Sequence, residues 1–343
     1  MKSYCILPFR RIKIDADGSY QSCCHQTNYY GNLIKDGTSL EQAFKSKELV
    51  DVKNSVLSPN LHTSCKNTQC PMYFTDLKRE LPVELSKYPI EVELSLPSTW
   101  CNIGGLNPTP DTACIMCPRS STKYMSLQPK EDHTDQLLDI LKPAIPHLKS
   151  LSVLGVAEPF WKGKVFDVLD KLDWKTHKEG KWFWTYCNGS IFGDKYQDLF
   201  LNEYTSLSAI GFSIDAATPE TYQKIRRIDF LPTIQRNLEK YFKKVHDLEP
   251  GRDTSFTAYN INMLNLHEME DMLRFGNSIG VFKVQFTLTY VSVDGMAMKS
   301  NLLCNEKNWQ LFWEQQQKVE QLAKELNQRV EFYYPFHKGY LKE

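Results

Sequence analysis

The chain has 343 residues, room for one large domain or two modest ones, and its 41 basic and 41 acidic side chains cancel to a formal net charge of zero. That balance excludes a dedicated nucleic-acid binder, which carries a basic excess, and no run approaches the ~18 apolar residues of a membrane helix. Only one short apolar run, Cys5 to Phe9, lies at the N-terminus before charge returns at Arg10, so no signal peptide is read there.

Residues 1–85 read as a small Cys-rich module. Arg11 to Tyr20 gives a strand, an Asp-Gly turn and a second strand. Cys23 and Cys24 follow at once; a helix is predicted over Leu40–Leu57, and Cys65 and Cys70 come after it. Pro82 and Pro89 punctuate a linker over 80–89. From residue 90 the pattern changes to alternation. Ile90 to Leu96 has period two and reads as a strand, and similar runs recur at Leu148–Leu154, Trp182–Tyr186, Leu207–Ile214, Thr254–Tyr259 and Phe282–Thr289. Helical patterns lie between them, at about 133–142, 163–172, 193–203, 219–242 and 266–279, and a long amphipathic helix over 306–328 closes the series. Six strands alternating with helices predict parallel βαβ units. Residues 86–343 offer too few repeats for a complete eightfold barrel, so the expected fold is α/β, an open partial (βα)6 barrel preceded by the Cys-rich module. Ligands of such folds sit beyond the carboxyl ends of the strands.

Ten cysteines are present and eight of them lie at or before position 117. At about 3% of a long chain they are too sparse for a disulfide scaffold, which leaves zinc or iron–sulfur ligation. Both require reduced thiolates and hence a cytoplasmic setting. Cys101, Cys114 and Cys117 follow the strand at residue 90 with the spacing C-x12-C-x2-C. Structural zinc prefers four protein ligands. Three thiolates suit a [4Fe–4S] cluster with one iron open to a small molecule. Zinc and unliganded buried thiols remain the alternatives. Cys187 and Cys304 stand alone and read as buried apolar thiols.

The run Glu93 to Asn102, followed by Cys114-Ile115-Met116-Cys117-Pro118-Arg119, resembles the cluster loop of radical S-adenosylmethionine (SAM) enzymes, in the branch with SPASM or twitch auxiliary-cluster domains. That loop usually reads C-x3-C-x2-C, so the residues between Cys101 and Cys114 are an insertion. Three further segments resemble the family's motifs in order. Gly155-Val156-Ala157-Glu158-Pro159 is similar to Gly-Gly-Glu-Pro, Thr185 to Gly189 is similar to the Thr-Asn-Gly turn, and Ser213 to Arg226 is similar to Ser-Ile-Asp-Gly-x-x-x-Glu-x-Tyr-x-x-x-Arg. The resemblance implies that Glu158 grips the SAM amino group, Ser213 the ribose and Arg226 the carboxylate. It further implies that Met116 packs on adenine and that Asp215 holds the substrate or the loop. Residues 1–85 resemble a twitch domain placed ahead of the barrel rather than after it. Four thiolates from separated loops, Cys5, Cys23 (or Cys24), Cys65 and Cys70, can close one auxiliary [4Fe–4S] cluster, and a zinc site of four thiolates has the same geometry.

The family likeness implies an enzyme that draws electrons from a flavodoxin- or ferredoxin-type donor, cleaves SAM reductively to a 5′-deoxyadenosyl radical and abstracts a substrate hydrogen. Relatives modify peptides and proteins, sugars or small metabolites, and a peptide or protein substrate is the reading favoured here. Trp309, Trp313 and the aromatic run Phe332 to Phe336 either line a mouth or belong to the core. Two readings from other classes stay open: a zinc-stabilised binding protein, and a SAM-dependent methyltransferase that uses no radical.

Overall fold

The computed structural model describes residues 5–23, 28–56, 63, 87–105, 109, 111–121, 125–126, 131–205, 207–248, 254–288 and 306–333. Ten strands form one sheet: β1 (Arg11–Ile14), β2 (Ser19–Gln21), β3 (Gly31–Asn32), β4 (Glu91–Ser95), β5 (Ser150–Leu154), β6 (Trp182–Cys187), β7 (Leu207–Ser213), β8 (Phe256–Ile261), β9 (Lys283–Leu288) and β10 (Arg329–Tyr333). Their order is β10-β9-β8-β7-β6-β5-β4-β1-β2-β3. Every pair from β4 to β10 is parallel, as right-handed βα crossovers require. Among the described residues the edges of the sheet are β10 and β3.

Alternation decides which way each strand faces. Val92 and Leu94 of β4, and Val284, Phe286 and Leu288 of β9, are buried in the main apolar cluster with side chains of the helices. Glu91, Glu93 and Ser95, and Lys283, Gln285 and Thr287, take the opposite face at period two. In these two strands the second face is therefore polar, while the first supplies the core.

Six of the strands are those expected from the sequence, with the fifth shifted from Thr254–Tyr259 to Phe256–Ile261. β10 is an addition: Arg329–Tyr333 pairs in parallel with β9, and Phe332 stacks on Phe286 at 5.2 Å. Within the aromatic run read as a tail, Phe332 and Tyr333 are thus strand residues, and residues 334–336 lie outside the described set. Trp309 and Trp313 pack against the core. The helix expected over 219–242 is two helices, Pro219–Arg226 and Leu231–Leu248, because Arg227 takes a left-handed conformation (φ 63°). That break ends the first helix at Arg226. The helix expected over Leu40–Leu57 likewise divides into Leu40–Phe44 and Lys47–Val56, with Leu57 beyond the described residues.

The N-terminal hairpin forms as expected, with Gly18 at φ 87° in its turn. It also continues the main sheet: β1 pairs in parallel with β4, Arg11 opposite Glu91 and Ile14 opposite Leu94. Ile12 and Ile14 enter the same apolar cluster as Val92 and Leu94. The boundary expected at 85/86 falls among undescribed residues. Among the described residues no helix is long and apolar enough to cross a membrane.

Candidate functional site

A cavity of about 240 Å³ opens at the carboxyl ends of β4 to β8, and Cys101, Cys114, Met116, Cys117, Glu158, Ser213, Asp215 and Arg226 all line it. These are the residues singled out in the barrel by sequence, and the fold brings them together.

The loop after β4 starts with Leu96, whose N–H donates to the carbonyl of Leu154 at 2.9 Å. Gly155, at φ 109°, faces that point; a Cβ there would lie 3.1 Å from both the N and O of Leu96, so only glycine fits. Farther along, the insertion between Cys101 and Cys114 is stitched by a buried arginine. Arg119 Nη1 donates to the Ile103 carbonyl at 2.7 Å and Nη2 to the Gly105 carbonyl at 2.5 Å. Cys117 closes a tight turn through its N–H to the Cys114 carbonyl (3.0 Å), and Ile115 N–H reaches the Ile225 carbonyl at 3.0 Å. The cysteine loop is thereby tied to the helix that carries Arg226.

Glu158 is buried, and its two carboxylate oxygens accept the backbone N–H groups of Asn188 (2.6 Å) and Phe160 (3.2 Å). Burial dominates its titration and raises its pKa to about 7, against the pull of those N–H groups and of Arg226. Asn188 Nδ2 donates to Asn102 Oδ1 at 2.9 Å, which links the turn after β6 to the residue beside Cys101. Asp215 is wholly buried at φ 63°. One oxygen accepts the Asn260 N–H at 2.7 Å, and the other takes Arg226 Nη2, which also donates to the Ser213 carbonyl at 2.9 Å. Arg226 Nη1 points at Cys114 Sγ, 3.7 Å away. Burial works against the Arg226 charge, but Asp215 and then Cys114 outweigh it and hold the guanidinium charged. Burial also pushes the Cys101 thiol up, with Arg119 partly offsetting it, and pushes Cys117 up to about 12.

Several members of this site carry no sequence signal that was read as functional. Asn265 Nδ2 donates to the carbonyls of Asp215 and Asn260, both at 2.9 Å, and its Oδ1 accepts the Asn262 N–H at 2.7 Å. Glu268 accepts from Ala217 N–H (2.9 Å) and from the Thr218 hydroxyl (2.5 Å), fixing the turn before the Arg226 helix. Tyr186 lies on the cavity wall, held by Gln285 Nε2 at 3.2 Å; a Cβ on Gly211 would lie 2.4 Å from its ring. The spacing Asn260-x-Asn262-x2-Asn265, just past a strand, was the available signal, since such residues favour local turn hydrogen bonds. Cys187, expected to stand alone, lines the cavity as well, buried and with its thiol pushed well up by that burial.

The cavity's chemistry suits an anionic, sulfur-rich group. Arg119 Nε, the Tyr222 hydroxyl and Arg226 Nε are buried donors without an acceptor. Arg119 interacts electrostatically with Cys101 and Cys117, and Tyr222 and Arg226 with Cys114. Buried donors of this kind call for an acceptor, and cluster thiolates and sulfides accept such bonds. Among the described residues no three His, Cys, Asp or Glu side chains are grouped to hold a single metal ion.

The other cysteine set is only partly described. Cys5 is half-buried and Cys23 buried; Cys24, Cys65, Cys70 and Cys304 lie outside the described residues. Cys5 precedes β1, and Cys23 follows β2, which runs back antiparallel to it. Cys23 therefore sits toward the end of the sheet where β1 begins, opposite the Cys101 loop.

No protein-family profile matches the chain. No curated protein matches it in sequence. Solved structures do share its fold. anSMEcpe with bound AdoMet aligns at 16% identity over 71% of this chain and 63% of its own, with a TM-score of 0.51. The chain shares the α/β fold of anSMEcpe, with its parallel sheet. SuiB of Streptococcus suis aligns at 12% identity over 72% of this chain and 49% of its own, TM-score 0.48. The hydrogenase maturase HydG aligns at 11% over 70% and 51%, TM-score 0.44. The chain thus spans between about half and about 63% of the length of these structures.

Proposed function

We propose that the chain is a radical SAM enzyme. Cys101, Cys114 and Cys117 would hold a [4Fe–4S] cluster, and Met116, Glu158, Ser213, Asp215 and Arg226 would contact SAM or fix the loops around it. The observation that carries this reading is the convergence of those eight residues, from the segments after β4 and β5, from around the end of β7 and from the helix Pro219–Arg226, on one cavity at the carboxyl ends of parallel strands. AdoMet is the ligand named for anSMEcpe, whose fold the chain shares.

When bound, the cluster supplies one electron to SAM, whose cleavage provides a radical able to take a hydrogen from the substrate. The protein's own part is positioning. Glu158 uses one acceptor site per oxygen on backbone N–H groups and keeps the others for an ammonium. Asp215 spends its charge on Arg226 and on β8, so it holds the loop rather than the substrate. Tyr186, Gly155 and Ala157 form part of the wall.

The electron donor in this proposal is of flavodoxin or ferredoxin type, and a peptide or protein is the favoured substrate, with a sugar or small metabolite as the alternative. Cys5, Cys23 (or Cys24), Cys65 and Cys70 would hold an auxiliary cluster. A zinc site at these thiols is the alternative reading of the same residues. Anaerobic reconstitution followed by iron and sulfide analysis separates these outcomes. Two cubane clusters give on the order of eight irons per chain and one gives about four; a zinc-loaded, iron-free protein overturns the proposal.

A further inference from the structure

Arg226 makes a contact that gripping a carboxylate does not require. Its Nη2 is engaged by the Ser213 carbonyl and by Asp215, which fixes the plane of the guanidinium. In that plane Nη1 points at Cys114 Sγ at 3.7 Å, and Nε is left buried without an acceptor. The main chain reinforces the placement, because Ile225, the neighbour of Arg226, receives the N–H of Ile115, the neighbour of Cys114. Cys114 and Arg226 are both nearly inaccessible, so the pair is screened by protein and not by water.

We infer that Arg226 is a positioning residue for the sulfur of Cys114: its N–H···S bond sets the reduction potential of the cluster that Cys114 holds. This rests on the function proposed above. A hydrogen bond and a positive charge beside a ligating thiolate stabilise the more negative, reduced state and raise its potential. Asp215 is the counterweight. Its carboxylate pairs with Nη2, whereas the sulfur is met by Nη1, and its negative charge partly cancels the charge the cluster feels. The two side chains thus pull the potential in opposite directions.

The test uses the full chain, reconstituted anaerobically with iron and sulfide, and an EPR-monitored redox titration without SAM. Asp215→Asn keeps an acceptor for Arg226 while removing the opposing charge, and is expected to raise the midpoint. The double variant Asp215→Asn with Arg226→Gln leaves no unpaired buried charge, so it keeps the fold where Arg226→Gln alone strands Asp215. It is expected to fall below the wild type, with a shift of at least tenfold in the reduction equilibrium relative to Asp215→Asn, or 59 mV for one electron. Equal midpoints in the three loaded proteins, or shifts of both variants in the same direction, overturn the inference and leave the functional reading intact. A wild type that takes up no iron–sulfur cluster overturns that reading, and this inference with it.

Discussion

Replacing Gly155 by alanine tests how the cysteine loop is anchored. At φ 109° an L-residue is strained, and the added Cβ would lie 3.1 Å from two backbone atoms of Leu96. Left-handed backbone costs roughly 1–2 kcal/mol. Overpacking against atoms that cannot rotate away adds roughly 1–3 kcal/mol, and the stiffer unfolded chain returns roughly 0.4–1 kcal/mol. About 3 kcal/mol of net destabilisation follows for Gly155→Ala. Gly180 is the control, because its φ is 70° and nothing lies within 4 Å of its Cβ position. Gly180→Ala has only the backbone term and should cost about 1 kcal/mol. Urea unfolding of the metal-free proteins at a common m-value reads both. If Gly155→Ala costs no more than Gly180→Ala, the Leu96 contact does not hold the start of the loop and the reasoning fails.

Asp15 gives a pH prediction. Burial opposes its ionised form, but the Lys13 charge and the hydrogen bonds from Lys13, Tyr29 and Ser95 prevail and lower its pKa below 3.8. Its stabilisation is therefore complete above the unfolded value and is lost as pH falls through the folded one. Asp15→Asn should lower stability at neutral pH and flatten the acid limb of the unfolding free energy; an unchanged acid limb would contradict the assignment. For the loop after β8, Asn265→Ala removes three buried hydrogen bonds and takes their partner from the Asp215 carbonyl and the Asn262 N–H, while the Asn260 carbonyl keeps Asn262 Nδ2 at 3.3 Å. A loss of about 2–4 kcal/mol in chemical denaturation is expected, and a loss under 0.5 kcal/mol would count against Asn265 as the strut under Asp215.

Parallel strands such as β4 and β9 were legible because they alternate apolar and polar residues against a one-sided core, as Val92 and Leu94 do between Glu91, Glu93 and Ser95. β10 was hidden because its residues run into an aromatic stretch and only its pairing with β9 makes it a strand. The helix break at Arg227 was invisible because positive φ at a non-glycine residue is imposed by context. The site residues that resemble family motifs were legible by resemblance, and the cavity does bring Cys101, Cys114 and Cys117 together with Glu158, Ser213, Asp215 and Arg226. Arg119 was quoted in the cysteine motif without a role, and Asn265 and Glu268 were not read, because each acts largely on backbone groups of another loop. Such contacts leave no periodicity in the sequence. The attachment of β1 to β4 was missed for a similar reason: parallel pairing between segments about 80 residues apart has no local signature.

The central claim is that the cavity ringed by Cys101, Cys114 and Cys117 cleaves SAM reductively. The direct measurement is product analysis after anaerobic incubation of the reconstituted protein with SAM and dithionite, beside Cys114→Ala and Cys117→Ala variants treated identically. The account predicts 5′-deoxyadenosine and methionine from the wild type and background levels from both variants. S-adenosylhomocysteine as the only product, or wild-type cleavage by Cys117→Ala, would contradict it.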